Sequence, residues 1–245
     1  MRSVVIIPAR YASTRLSGKP LLAETGKPLI QHVVEAVRGA ARIQRIVVAT
    51  DDDRIASAVA AFGGEAIMTR ADHPCGTDRI NEAAAKLGLA PEDIVINVQG
   101  DEPEMPAEGI DKLVDLLAGG GDPMATLATP LEAAAVGDPN KVKVVCDASG
   151  RALYFSRAPI PFDRDGEAHP RYLLHLGIYA YRSGFLKRFA SLPPTPAERA
   201  EKLEQLRALE HGYRILVGVV DYHGKGIDTP EDYAAFVKRL RAAKH

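Results

Sequence analysis

Three cations stand close together near the start of the chain. Arg10, Arg15 and Lys19 are interleaved with Ser13, Thr14, Ser17 and Gly18 in IPARYASTRLSGKPL. A loop of small residues offers free backbone N–H groups, and three cations can neutralise a polyphosphate. Arginines fork onto paired oxygens, whereas lysine is a mobile point charge. The stretch is neither a P-loop nor a dinucleotide turn, since it matches neither G-x-x-x-x-G-K-[ST] nor G-x-G-x-x-G. The competing reading is a solvated basic turn. Its position directly behind the apolar run SVVIIPA favours the polyphosphate.

Carboxylates follow at two places. In NVQGDEP, Asp101 comes just after an apolar run. Mg²⁺ takes one or two carboxylates together with phosphate oxygens and water, so an aspartate at a strand's end beside a phosphate loop suits it. Asp101 or Glu102 could instead cap the next helix, although Pro106 and Ala107 make a better start for it. In GKGIDTPED, Asp228 is either a helix cap or a second metal ligand, with Thr229 available to cap in its place. In TRADHPCGTDRI, His73 and Cys75 are too few for zinc. Gly76 and Thr77 before a helix can present N–H groups to an anion or a base edge. Cys75 reads as a small packed residue, and the run at 51–53 as the acidic first turn of a helix. Arg157 and His175 lie inside apolar, strand-like runs, where a charge must be paired. Arg157 awaits either a ligand carboxylate or an internal or interface ion pair.

These residues need a scaffold. Short Val- and Ile-rich runs at 3–9, 45–50, 65–69 and 93–100 alternate with helical patterns at 28–40, 52–63 and 77–88, with Thr77 as the cap of the last. That alternation implies a parallel sheet covered on both faces, with ligands bound beyond the carboxyl ends of its strands. By that rule both the cationic loop and Asp101 face one crevice. After residue 122 the strands are linked by turns. Residues from about 130 to 185 read as an antiparallel elaboration, with a polar, turn-rich loop at 162–171. One long helix is expected over 196–212, then a strand at 214–220 and a last helix capped by Thr229. The fold class is therefore α/β: a mostly parallel, Rossmann-like sheet with an antiparallel elaboration, in a single domain spanning 1–245.

Composition narrows the classes. Lys and Arg total 31 against 32 Asp and Glu, so no global field draws nucleic acid or an anionic membrane, and the basic residues act locally. With 46% hydrophobic residues a large core is available. Two distant cysteines, Cys75 and Cys146, suggest a reducing compartment. The apolar run before Pro8 is too short for a signal peptide, and no later stretch spans a bilayer. A soluble cytoplasmic protein is expected.

Taken in order, IPARYASTRLSGKPL, TRADHPCGTDRI, NVQGDEP, YFSRAPIP, HLGIYAYR, LEQLR and GIDTPEDY cover nearly the whole chain. Together they closely resemble the 3-deoxy-manno-octulosonate cytidylyltransferases, or CMP-Kdo synthetases. The resemblance implies a nucleotidyltransferase sheet and a reaction in which CTP and Kdo give CMP-Kdo and pyrophosphate, for lipopolysaccharide biosynthesis. It implies that Arg10, Arg15, Lys19 and Asp101 are catalytic. Pro8, Ala9, Ser13, Cys75, Gly76, Thr77 and Arg79 would join Arg10, Arg15 and Lys19 around the nucleotide. Gln99, Arg157, His175, Glu204 and Gln205 would line the sugar-acid pocket, and Asp101 and Asp228 would ligate Mg²⁺. It also implies a homodimer in contact through the antiparallel elaboration, with neither nucleic acid nor membrane as partner. One departure is that Cys75 stands where the family usually has serine in H-x-S-G-T. Rival readings are a cytidylyltransferase for another sugar acid such as sialic acid, a GT-A-like glycosyltransferase, and a non-catalytic nucleotide-binding module. The GT-A-like reading fits poorly with so cationic a first loop, and the binding module does not need two metal aspartates.

Overall fold

The computed structural model describes residues 1–12, 16–222 and 224–242. Ser13 and Arg15 of the expected phosphate loop lie outside the described residues. Along the chain come β1 (Ser3–Ala9), α1 (Leu29–Val37), β2 (Arg45–Thr50), α2 (Asp53–Ala61), β3 (Ala66–Met68), α3 (Gly76–Lys86), β4 (Ile94–Asn97) and α4 (Ala107–Ala118). The second half adds β5 (Met124–Leu131), β6 (Lys143–Cys146), β7 (Ala152–Ser156), β8 (Tyr172–Arg182), α5 (Ser183–Ser191), α6 (Pro196–Glu201), α7 (Gln205–Glu210), β9 (Ile215–Val219) and α8 (Pro230–Ala242).

Side chains alternate across β1, and both faces are buried. Val5 and Ile7 pack with Ile30, Val33, Ile55, Ile110 and Leu113 of α1, α2 and α4. Val4 and Ile6 pack with Ile80, Ala83, Leu186, Phe189 and Leu206 of α3, α5 and α7. Each such aliphatic side chain contributes about 1.5–3 kcal/mol on burial. That two-sided burial is why the strand is a continuous apolar run. A smaller cluster fastens α8 to the body through Tyr233, Phe236 and Val237 against Leu29 and Ile227.

The strands form one sheet in the order β3-β2-β1-β4-β8-β5-β9, with β6 and β7 branching from β8. β1 pairs in parallel with β2 and β4, β2 with β3, and β5 with β9. β8 enters antiparallel between β4 and β5, and β6 and β7 form an antiparallel pair. The expected α/β class is observed, a mostly parallel sheet with antiparallel strands. The elaboration is not a separate layer, because β8 is central to the main sheet.

Three local expectations are corrected. The expected helix over 196–212 is broken in two. Lys202 adopts a left-handed conformation with φ 55°, and Leu203 and Glu204 separate α6 from α7. An Arg207–Glu198 ion pair at 2.5 Å clamps the two pieces across the break. Second, Thr77 lies inside α3, and Cys75 occupies the capping position without a side-chain cap bond. Third, β5 pairs in parallel with β9 as well as antiparallel with β8, so MATLATPL belongs partly to the parallel sheet.

Two loops crowd the carboxyl end of β1. A Cβ on Gly100 would lie 2.8 Å from the carbonyl oxygen of Pro8, so only glycine lets the chain after β4 approach this closely. A Cβ on Gly76 would meet the Pro8 ring at 3.6 Å. Pro8 is thus flanked by the loop before α3 and the loop after β4.

Candidate active site

The cationic loop opens with Arg10 at the end of β1 and closes with Lys19. Its base is tied by a hydrogen bond from the Gly18 N–H to the Tyr11 carbonyl at 3.0 Å, and Gly18 takes φ 65° to make that turn. The Arg54 guanidinium stacks 3.3 Å over the Tyr11 ring and is itself held by Asp52.

Lys19 is the centre of the site. Its ammonium donates to Asp101 Oδ2 at 2.6 Å and to the Ile227 carbonyl at 2.8 Å, and lies 3.7 Å from Asp228 Oδ1. The Ile227 N–H donates to the Asp101 carbonyl at 2.9 Å, which holds the two aspartate-bearing segments side by side. Neither aspartate caps a helix. α4 starts after Pro106, and α8 is capped by Thr229 and Asp232, which bond reciprocally. Both capping alternatives are thereby resolved, and both carboxylates face the lysine.

Glu102, considered in sequence only as a helix cap, instead lies beside the two aspartates. Tyr222 donates to its Oε2 at 2.8 Å, and Gly226 allows the carboxyl to sit where a Cβ would meet Oε1 at 2.8 Å. Burial, and then the charges of Asp101, Asp228 and Glu104, push it up to about 7 despite the Tyr222 bond. The signal in sequence was only a second acid beside the first.

Arg10 Nη2 donates to the carbonyls of His73 and Cys75, at 2.5 and 3.2 Å, and so sets the loop before α3. His73 is bonded in turn to Glu82. Cys75 Sγ contacts Asp78 Oδ2 at 3.0 Å and Glu204 Oε1 at 3.5 Å. Burial, and then the Glu204 charge, push the thiol up to about 12. Thr77 Oγ1 donates to Glu204 Oε2 at 2.7 Å. Arg79 is fully buried, pairing Nη1 with Thr69 and Asp51, while its Nε and Nη2 have no partner among the described residues. Asp51 therefore does more than begin a helix: it serves Arg79, and Asp52 caps α2.

The remaining predicted residues gather less tightly. Gln99 Nε2 makes a long 3.4 Å bond to Asn97. His175 is boxed by the Phe155 and Tyr179 rings, and burial pushes it down to about 3, so it is a neutral hydrogen-bonding group. Arg157 Nε and Nη1 donate to the Glu201 and Pro139 carbonyls, while its backbone N–H donates to Glu201 Oε2 at 2.9 Å, so the carboxylate holds the main chain and the guanidinium bonds carbonyls. Beneath it the fully buried Lys143 ammonium donates to the Arg157 and Asp138 carbonyls. That lysine was signalled only by a charge within the apolar run KVKVVC. Gln205 is buried beside Glu204, with no partner for its Nε2 among the described residues. The structure thus joins Lys19 with Asp101 and Asp228, Arg10 with the loop at 73–75, and Thr77 and Cys75 with Glu204. It brings no direct bond between His175 or Arg157 and those groups.

Among the described residues, no group of three or more His, Cys, Asp or Glu side chains is placed to hold a metal by itself. The pair Asp101 and Asp228 is a hard oxygen donor set that stabilises a cation, here an ammonium, and fits an ion that takes its other ligands from phosphate and water. No helix among the described residues is long and apolar enough to cross a membrane.

Known proteins share this arrangement of chain. The cytidylyltransferase family model matches residues 4–215. A 3-deoxy-manno-octulosonate cytidylyltransferase of Syntrophobacter fumaroxidans is 57% identical over 98% of this chain and 97% of its own. A solved CMP:2-keto-3-deoxy-manno-octonic acid synthetase complexed with CTP superposes with TM-score 0.94 at 44% identity, covering 99% of this chain and 100% of its own. A cytidylyltransferase from Leptospira borgpetersenii shares the fold at 18% identity, with TM-score 0.67 over 99% of this chain and 87% of its own.

The raised thiol gives a direct test of Cys75. A group pushed up to about 12 is almost wholly protonated at pH 8, and the thiolate is the reactive form. Iodoacetamide should modify Cys75 at least about a hundredfold more slowly than a free thiol at that pH. Mass-spectrometric kinetics of labelling measures this, and a free-thiol rate would mean that the thiolate is stabilised in the site.

Proposed function

This chain belongs to the cytidylyltransferase family and performs cytidylyl transfer from CTP to 3-deoxy-manno-octulosonate, and we propose that the crevice at the ends of β1 and β4 is where Mg²⁺, CTP and the sugar acid meet. The observation that carries this reading is the Lys19 ammonium held against Asp101 and Asp228 just beyond a parallel strand. The product, CMP-Kdo, serves lipopolysaccharide biosynthesis.

The sugar acid's anomeric hydroxyl attacks the α-phosphorus of CTP. The bond from that phosphorus to the bridging oxygen breaks, pyrophosphate leaves, and the hydroxyl proton passes to solvent. Positioning and charge neutralisation supply most of the rate in such transfers. Arg10, Arg15 and Lys19 offset the charge that builds on pyrophosphate, and the flexible lysine stem lets the ammonium follow it. Asp101 and Asp228 would hold Mg²⁺, which when bound neutralises phosphate charge and acidifies the attacking hydroxyl.

Pro8, Ala9, Cys75, Gly76 and Thr77 border the nucleotide side, and the unpartnered Arg79 donors suit an acceptor there. On the sugar-acid side, Arg157 retains a guanidinium edge for the carboxylate. Neutral His175, Gln99, Glu204 and the Gln205 Nε2, which has no partner among the described residues, offer donors and acceptors for hydroxyls. Use of CTP as substrate supports a cytoplasmic setting for the enzyme.

We further propose a homodimer through the antiparallel elaboration. Supporting it are the large apolar side chains left exposed there, Leu153 at 61% and Phe162 at 82%. Light scattering should return twice the chain mass, and a single chain mass would refute the dimer.

The metal assignment predicts that Asp101→Asn and Asp228→Asn each cut turnover at least about a hundredfold while the unfolding temperature holds. Chelation should abolish pyrophosphate release and added Mg²⁺ restore it, whereas full activity in EDTA would reject the assignment. The division of the crevice predicts different kinetics at its two ends. Arg157→Ala should raise the KM for the sugar acid about ten- to a hundredfold, the worth of a charge-assisted hydrogen bond, and spare CTP. Lys19→Ala should lower turnover together with CTP binding. Equal loss of CTP affinity in both variants, measured by calorimetry without sugar acid, would put Arg157 on the phosphates instead.

A further inference from the structure

The two substrate sides of the crevice are hydrogen-bonded to each other. Thr77 belongs to the first turn of α3, next to the loop set by Arg10, while Glu204 stands in the break between α6 and α7. They are 127 residues apart, yet Thr77 Oγ1 donates to Glu204 Oε2 at 2.7 Å. We propose that Thr77 is a positioning residue that couples the sites, holding Glu204 in place for the sugar acid once the nucleotide has set the loop at 73–77.

Each step of the link is a bond in the structure. Arg10, the first cation of the phosphate loop, grips the carbonyls of His73 and Cys75. A Cβ on Gly76 would meet the Pro8 ring at 3.6 Å, so the loop lies directly against the end of β1, where the phosphate loop begins. From that loop Thr77 donates to one Glu204 oxygen, and Cys75 Sγ approaches the other at 3.5 Å.

On the far side Glu204 is only lightly held. Its remaining charged partner is Arg207 at 3.5 Å, and that guanidinium is already committed to Glu198 at 2.5 Å. The left-handed Lys202 ends α6, and Glu204 stands at the cap of α7, where its carbonyl accepts from the Arg207 N–H at 3.0 Å while its carboxylate turns to the opposite loop. A carboxylate on a helix break, with its shortest bond to the opposite loop, takes its position from that loop. Thr77 itself is buried, so water is not ready to replace its hydroxyl.

Two ligands that each favour one arrangement of a shared bond bind cooperatively, and reciprocally so. Nucleotide that orders the loop therefore tightens the sugar acid, and the sugar acid tightens the nucleotide by the same factor. Cys75 allows the arrangement without competing for it, because a protonated thiol is a weak donor beside the Thr77 hydroxyl.

The inference rests on the reading of Glu204 as part of the sugar-acid pocket, and calorimetry separates the two. Kdo is titrated into the enzyme with Mg²⁺, alone and saturated with α,β-methylene-CTP. In the wild type the analogue should tighten Kdo by about tenfold. In Thr77→Val, which keeps the shape and loses the donor, the tightening should fall to about twofold or less, and Thr77→Ser should restore it. Circular dichroism and an unchanged unfolding temperature report that Thr77→Val is folded. Undiminished tightening in Thr77→Val, or none in the wild type, overturns the coupling. Unchanged Kdo affinity in Glu204→Gln would instead remove Glu204 from the pocket and defeat the underlying reading. Weakened Kdo in Glu204→Gln with undiminished coupling in Thr77→Val defeats the coupling alone.

Discussion

One ammonium joins three distant parts of this chain. Lys19 closes the first loop, Asp101 follows β4, and Ile227 and Asp228 lead into α8, 208 residues beyond the lysine. Two carboxylates brought this close repel each other, and the repulsion grows as water is excluded. A cation between them is therefore a condition of the arrangement and not an ornament on it. The neighbouring Glu102 is pushed up to about 7, first by burial and then by the charges of Asp101, Asp228 and Glu104. The same requirement makes the place suitable for a divalent ion and a polyphosphate, which bring compensating charges of their own.

Around that centre, backbone does as much as side chains. Gly100 passes so near Pro8 that a methyl group would collide with its carbonyl, and Gly76 packs on the other side of the same proline. The aspartate loop and the loop before α3 are thus indexed to the end of β1, which is itself buried on both faces. Rigid strands fix the ends, and short loops inherit that precision. Arg10 extends it by holding carbonyls of the second loop.

The side proposed for the sugar acid is built on different terms. β8 enters the sheet antiparallel and carries His175 and Tyr179 in one aromatic group with Phe155 of β7. Buried Lys143 fixes the carbonyl of Arg157 from below. Glu204 stands on a helix break whose two halves are clamped by Arg207 and Glu198. Neutral and charge-paired groups dominate here, as suits a ligand rich in hydroxyls with a single carboxylate, whereas the opposite side concentrates cations.

Local pattern sufficed for the parallel half. Continuous apolar runs that alternate with amphipathic helices leave a two-faced sheet as the only way to bury both sides of each strand, and Thr229 with Asp232 announces the last helix. The cations of the first loop and Asp101 could be named because they follow apolar runs where such a sheet binds its ligands, and Asp228 because Thr229 was available to cap the last helix in its place. Pattern failed where the deciding partner was remote. KLEQLRALEHG has every mark of a continuous helix, and only tertiary packing sets Lys202 left-handed to free Glu204. Thr77 looked like a cap, because its true partner lies 127 residues away. Asp51 looked like a helix start until Arg79 was found buried against it. Periodicity and propensity act over a few residues, the range over which elements and the chemical types at their ends are set. Ion pairs, close glycine contacts and the capture of Lys19 between two aspartates depend on which ends meet, and that was decided only when the sheet closed.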